Sequence, residues 1–427
     1  MHIHVVQPGE SLWSISKSYG LSPNELARLN KILNQNNLVQ GQTIVIPAHI
    51  ELHTIKPGES LWTIAKKHNL SLQNILNANP GINPNRLKVG EQIRITSSPV
   101  PARTIEVNAY IDPMSAHDPV TPIREVAKHL TYLSMFSYHV TPQGNIVGPE
   151  DKAIVAAARA QNVAPVLVVT NFDGTNFSPE LAHSVMSVPE IRERLISNLI
   201  STMRSKGYRV LNMDFERIKP ENRQMYNAFL LEVGNKVRAA GFPFSTALAP
   251  KTSDWMGGEW HGAHDYRAHG AAVDFTIIMT YEWGWSGGPA YAVAPINKVK
   301  EVLDYAVTVI PRKKIGMGMP LYGYDWTLPY VRGGHWAKAV SPQQAIELAA
   351  VHGVAIKYDE KLQSPHFNYS DKNGKEHVVW FEDARSVNAK FDLVNEYGLR
   401  GVSYWVLGHD FPQNWLVLEN RFRVKKL

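Results

Sequence analysis

Over its first 97 residues the chain twice alternates short apolar runs of period two with apolar positions at helical spacing. His4-Val5-Val6-Gln7-Pro8-Gly9-Glu10-Ser11-Leu12-Trp13 recurs 49 positions later as His53-Thr54-Ile55-Lys56-Pro57-Gly58-Glu59-Ser60-Leu61-Trp62. The register holds to the far end, where Gly41, Ile44 and Ile46 map onto Gly90, Ile93 and Ile95. Each copy predicts a strand, a Pro-Gly turn and a helix capped by Ser11 or Ser60, with Leu12 and Ile15, or Leu61 and Ile64, on its apolar face. A second helix is predicted around 23–30 and 72–79, and a closing strand at 43–46 and 92–95. Trp13 and Trp62, next to those apolar faces, are read as core rather than as ligand platforms. The copies are bounded as 1–48 and 49–97, each a small βααβ unit.

Ser97-Ser98-Pro99-Val100-Pro101-Ala102-Arg103 is short and stiff, so a boundary is placed at 98–103. Beyond it, strand-length apolar runs at 105–110, 132–138, 163–170, 210–215, 244–249, 275–281, 314–320 and 401–406 are separated by helix-sized segments. Several are almost continuously apolar, as in Pro165-Val166-Leu167-Val168-Val169, which is the mark of strands covered on both faces. Eight such runs within 104–427 predict an α/β (β/α)8 barrel, with chemistry at the C-terminal ends of its strands. The stretch between the last two runs, about 323–399, is too long for one crossover helix and predicts a small α+β insertion.

Composition narrows the function. With 44% hydrophobic and 19% charged residues the 427-residue chain can bury a core, and with no cysteine it has neither disulfides nor thiolate chemistry. The formal charge of +6 is concentrated early, since residues 1–100 hold nine Lys and Arg against five Asp and Glu. That is mild attraction to a polyanion and lacks the clustered basic stripe of a nucleic-acid reader. No run of about 18 apolar residues suggests a membrane span. The start, Met1 to Glu10, has no basic stretch followed by an apolar segment, so no secretory signal of the usual kind is expected. No metal spacing and no phosphate loop stand out, no cofactor is expected, and His261, His264 and His269 are read as loop residues.

On the fourth run, Arg209-Val210-Leu211-Asn212-Met213-Asp214-Phe215-Glu216, strand alternation points Asn212, Asp214 and Glu216 into the barrel mouth and Leu211, Met213 and Phe215 into the surrounding packing. Two carboxylates in a low-dielectric mouth raise each other's pKa, as a general acid at neutral pH requires. The competing reading is a pair of strand-end charges satisfied by a basic loop. Nine of the 11 Trp lie past the boundary. Trp255, Trp260, Trp283, Trp285, Trp326 and Trp405 follow predicted strands, where aromatic faces can stack on sugar rings.

The repeated Pro-Gly-Glu-Ser-Leu-Trp, closed by Gly-Gln-Thr-Ile or Gly-Glu-Gln-Ile, resembles the LysM module, which binds N-acetylglucosamine-containing glycans. The resemblance implies sugar contacts at Gly9, Glu10, Ser11 and Leu12 and at Gly58, Glu59, Ser60 and Leu61, facing 32–36 and 81–84. The barrel resembles glycoside hydrolase family 18, whose fourth strand carries Asp-x-x-Asp-x-Asp-x-Glu. Asp214 and Glu216 match the last two acidic positions, while Arg209 and Asn212 replace the first two. Met279-Thr280-Tyr281-Glu282, Met317-Gly318-Met319-Pro320-Leu321-Tyr322-Gly323 and Gly401-Val402-Ser403-Tyr404-Trp405 resemble later family segments, and Thr170-Asn171-Phe172-Asp173-Gly174 departs from a common Ser-x-Gly-Gly.

The resemblance implies substrate-assisted, retaining hydrolysis. Glu216 is the acid, Asp214 and Tyr281 hold the substrate's acetamido group, Asn212 supports Asp214 by a hydrogen bond, and Trp405, Met279, Glu282, Trp283 and Tyr322 bind sugar. Together with the two LysM-like copies, the chain resembles the spore cortex-lytic N-acetylglucosaminidases. That implies a monomer with a spore location, a peptidoglycan substrate, and spore-coat proteins as further candidate partners. A chitinase, or a non-catalytic glycan-binding coat protein, is the alternative the same motifs allow.

Overall fold

The eight apolar runs form eight parallel strands that close into a barrel in the computed structural model, which describes residues 1–46, 50–68, 70–79, 81–96, 101–114 and 118–427. They are β1 (Thr104–Ile111), β2 (Tyr132–Val140), β3 (Ala164–Thr170), β4 (Val210–Asp214), β5 (Phe244–Leu248), β6 (Phe275–Ile278), β7 (Ile315–Pro320) and β8 (Gly401–Trp405). Closure is made by β1, which pairs with β8 through Gly401↔Glu106 and with β2 through Asn108↔Tyr132. Outward residues of the strands and inward faces of the helices make one continuous apolar layer that includes Leu211, Met213, Phe215, Phe229, Leu303 and Phe391.

Inside the barrel a second apolar set, Tyr110, Tyr132, Val166, Val168, Val210, Phe275 and Ile277, fills the bore. Towards the strand starts, Glu106 accepts from Arg400 at 2.5 Å, Lys425 at 2.8 Å and the Tyr132 hydroxyl at 3.0 Å. This buried charge is therefore matched by two cations and a phenol, as burial of an ion demands.

Between β7 and β8 the chain builds a five-stranded antiparallel sheet from Gly323–Thr327, Lys338–Val340, Lys357–Asp359, Ser364–Ser370 and Glu376–Trp380, covered by the helix Pro342–His352. The helix Ala384–Glu396 that follows it packs Phe391, Leu393 and Val394 into the barrel layer instead.

Each N-terminal copy is a strand, two helices and a strand paired antiparallel, His2–Val5 with Thr43–Ile46 and Ile50–Thr54 with Gln92–Thr96. Ser11 and Ser60 cap their helices by accepting from Ser14 and Thr63 N–H, and Gly9 and Gly58 both take φ +80° at the Pro-Gly turn. The expectation that Trp13 and Trp62 are core is overturned: they are 61% and 59% exposed. Leu12, Ile15 and Leu26 fill the first core, so the next residue along the helix is rotated about 100° away from it. Lys17 and Lys66 lie over the two indole rings at 4.8 and 5.2 Å.

Of the expected linker, residues 97–100 lie outside the described residues, while Arg103 donates to the Val394 carbonyl at 2.6 Å. The first copy is docked on the barrel and its insertion. Val39 joins the insertion core with Ile346, Ile356 and Phe367, and the Gln40 carbonyl accepts from Ile356 N–H at 2.8 Å. Arg385 donates to the Gly41 carbonyl at 3.2 Å, and Gln413 to that of Asn30 at 3.2 Å. The second copy meets the first through Arg94 and Glu25 at 2.7 Å.

Gly41 and its repeat partner Gly90 separate docking from turn geometry. Both have positive φ, +85° and +90°, but a Cβ on Gly41 would lie 1.9 Å from the Ile356 carbonyl oxygen, whereas one on Gly90 meets nothing within 4 Å. Gly90→Ala should cost about 1–2 kcal/mol, the left-handed backbone penalty. Gly41→Ala should cost about 2–3 kcal/mol more, since backbone must move. Urea unfolding of the two variants checks this, and equal midpoints would mean that the docked turn contributes nothing.

Candidate active site

Asp214 is the last residue of β4, held by the Thr170↔Asp214 register of β3, and Glu216 lies two residues beyond the strand on the same face. Leu211, Met213 and Phe215 alternate outward into the apolar layer, which fixes the phase of the strand and so aims the carboxyls into the mouth. Asp214 is 3% exposed, and its Oδ1 has no hydrogen-bond partner among the described residues. Burial raises the pKa of Asp214, and burial followed by the neighbouring Asp214 raises that of Glu216 well above the usual carboxylate range. The reading as strand-end charges satisfied by a basic loop is removed: among the described residues no ion pair reaches Asp214 or Glu216, and the cations of the adjoining loop, Arg217 and Lys219, pair with Glu259 and Glu180 instead.

Tyr281 lies three residues past the end of β6, and its hydroxyl pKa is driven up by burial, then by Asp214 and Glu216. Tyr110, buried in the bore, is driven up by burial and by Asp214, Tyr281 and Glu216. These four groups therefore lie close enough at the mouth to act on one another electrostatically. Asn212 does not serve Asp214 as expected. Its Oδ1 accepts from the Tyr110 hydroxyl at 3.2 Å and its Nδ2 donates to Ser245 Oγ at 2.9 Å, which uses the amide inside the bore.

Around this mouth, Trp405 at the end of β8 rests edge-on against Tyr110 and Phe136, with centroids 5.6 and 4.8 Å apart. Tyr322 donates to Glu282 Oε1, and Tyr324 donates to the same oxygen at 3.0 Å. Glu282, with φ +69°, is thus held by phenols instead of a cation. Met279 is partly accessible, whereas Trp283 leans on the apolar layer of the barrel. Of the other Trp residues, Trp326 is buried, donating to the Gly288 carbonyl at 3.0 Å, and is packing. Trp255 and Trp260 are exposed. Trp285 is exposed too and meets Trp336 of the insertion edge-on at 5.9 Å, a partner that the strand pattern does not single out.

In the repeats, Glu10 and Glu59 are turn supports: each accepts from a His side chain, His4 at 2.8 Å or His53 at 2.7 Å, and from a backbone N–H, that of Gln7 or Lys56. The Leu12 and Leu61 side chains are core, so these positions can offer a glycan only backbone. Gly9, Ser11 and Gly58 remain exposed, and Ser60 partly so. His261 and His264 lie in loops as expected, His264 buried, whereas His269 is buried inside the helix Tyr266–Ala272. Among the described residues no group of His, Asp and Glu could hold a metal ion.

A closed (β/α)8 barrel with unpaired carboxyls at the end of its fourth strand is the architecture of a glycosidase, and the model for glycosyl hydrolases family 18 matches residues 107–410. The chain belongs to that family, and LysM domains match 4–47 and 53–96. It is 49% identical to the cortical fragment-lytic enzyme of Bacillus subtilis (strain 168), across 100% of this chain and 99% of the relative. The crystal structure of the Bacillus megaterium QM B1551 spore cortex-lytic enzyme SleL superposes with TM-score 0.86 at 41% identity, covering 100% and 99% of the two chains. A chitinase from Chromobacterium violaceum superposes at 0.68 with 28% identity, covering 74% and 99%.

Asn212→Asp tests the electrostatics of the mouth. A third carboxyl on the face that holds Asp214 and Glu216 disfavours the ionised form of Asp214, so the acid limb of kcat/KM should move to higher pH by about one unit. A pH profile with an unmoved acid limb would show that Asp214 ionisation does not govern the reaction.

Proposed function

We propose that the chain hydrolyses spore cortex peptidoglycan, cutting the β-1,4 bond on the reducing side of N-acetylglucosamine with retention of configuration. The observation that carries the proposal is the pair of carboxyls at the end of β4, the buried Asp214 with an oxygen unpartnered among the described residues and Glu216 beside it, both with raised pKa and both acting on Tyr281. The cortex as substrate is supported by the relatives, which match over the full length and whose names assign them to cortex lysis.

Glu216, whose pKa is pushed up by burial and by Asp214, gives its proton to the glycosidic oxygen as the bond breaks. The acetamido carbonyl of the substrate attacks the anomeric carbon, so no protein nucleophile is needed. The free Oδ1 of Asp214 accepts the acetamido N–H and balances the positive charge that develops on the ring, while Tyr281 donates to the acetamido oxygen. Glu216, now ionised, takes a proton from the incoming water, and the β configuration returns. Trp405, seated on Tyr110 and Phe136, offers the apolar floor for the reacting sugar.

The docked first LysM domain and the second one beside it hold the barrel near an insoluble polymer, which raises the local substrate concentration without adding contacts at the mouth. This fits a spore location.

Purified cortex fragments incubated with wild type and Glu216→Gln, then reduced with borohydride and analysed by mass spectrometry, test the assignment. Wild type should create N-acetylglucosaminitol ends, and the variant should be slower by about 10²–10⁴-fold. New muramitol ends would reassign the bond cut, and an unimpaired variant would remove Glu216 as the acid.

A further inference from the structure

Glu216 stands outside the hydrogen-bond ladder that fixes β4. The strand pairs with β3 as far as Asp214 and with β5 as far as Met213, and Arg217, immediately after Glu216, turns away at φ +53°. A carboxyl on so short an overhang can swing unless its own backbone is held, and here side chains do the holding.

Asn171, the first residue past β3, is fully buried and grips Glu216 from both sides of its Cα. Its Oδ1 accepts from the Glu216 N–H at 2.9 Å, and its Nδ2 donates to the Glu216 carbonyl at 2.8 Å. The same Nδ2 donates to the Ser178 carbonyl at 3.0 Å, and the Asn171 carbonyl accepts from Ser178 N–H at 2.9 Å, which ties the amide to the start of the next helix. One residue earlier, the Phe215 carbonyl accepts from His264 Nε2 at 3.1 Å. The Ala249 N–H donates to His264 Nδ1 at 2.8 Å, which fixes the neutral tautomer with its proton on Nε2. Two side chains from neighbouring loops therefore stand in for the missing strand partners.

We propose that Asn171 is the positioning residue for the general acid, with His264 as its second support, setting where the Glu216 carboxyl meets the leaving oxygen. The proposal rests on Glu216 being that acid. Only a primary amide of this length can accept from the N–H and donate to the C=O of one residue. Alanine leaves both groups buried and unpaired, and aspartate puts an acceptor against the carbonyl. Neither change touches the groups that bind the acetamido arm.

The consequence separates positioning of the acid from upkeep of the fold. A sugar leaving group needs its proton, whereas a dinitrophenolate departs without one. For Asn171→Ala and Asn171→Asp, kcat on N-acetylglucosamine oligomers should fall about 10–100-fold with KM little changed, as expected when an acid is displaced by about 1 Å. On the 2,4-dinitrophenyl glycoside of N,N′-diacetylchitobiose, kcat/KM, which reports bond cleavage before Glu216 is needed as base, should change by less than about threefold. Equal losses on both substrates in both variants, or a change in KM alone, would overturn the proposal. Glu216→Gln, measured on the same two substrates, keeps the two readings apart. If it spares the sugar leaving group, the acid assignment has failed. If it fails selectively there while both Asn171 variants behave as wild type, only the positioning claim has.

Discussion

The structure is organised around two neighbouring carboxyls, a buried Asp214 and a partly accessible Glu216, that form no ion pair among the described residues. In a protein interior an ionised group is normally paired, and this barrel obeys that rule at its closed end, where Glu106 meets Arg400, Lys425 and Tyr132. At the open end it breaks the rule: among the described residues no partner reaches the buried Asp214 Oδ1, and burial and Asp214 push the pKa of Glu216 up. The two ends of one bore therefore treat their carboxyls in opposite ways.

Everything around the pair serves to keep it in place. The apolar layer fixes the phase of β4 through Leu211, Met213 and Phe215, and the barrel closure through β1 fixes β4 relative to the other strands. Tyr110 and Asn212 are occupied with each other inside the bore, so the exchange of an acid for an amide at 212 removes a titrating neighbour while the position stays filled. The insertion brings Tyr324 against Glu282 and Trp336 against Trp285, and the first LysM domain is wedged against that insertion through Val39 and Gly41. The first domain, the insertion and the barrel thereby form one packed body.

The barrel is legible in the sequence because strands covered on both faces leave near-continuous apolar runs, and each of the eight lies within a few residues of its predicted span. The carboxyl pair is legible because strand alternation is strict. What stays hidden depends on contacts between distant loops. Asn171 and His264 hold Glu216 and its neighbour Phe215 from segments 45 and 49 residues away, and a buried amide or imidazole carries no periodic signal. Helical spacing alone misplaces Trp13 and Trp62, because the core stripe takes Leu12 and Ile15 and leaves the indole beside Leu12 exposed, with a lysine over its ring. Glu10 and Glu59 look available for ligand because the sequence does not reveal that the His six residues before each folds back onto it.

In the proposed mechanism the substrate supplies the nucleophile, with the protein contributing an acid and an electrostatic rest. Proton NMR of the first product formed from an N-acetylglucosamine oligomer tests this at its root, because the anomeric signal reports the stereochemistry before mutarotation. The β anomer should appear first and decay towards equilibrium. If the α anomer appeared first, water would have attacked the anomeric carbon directly, and Asp214 and Tyr281 would not be holding an attacking acetamido group.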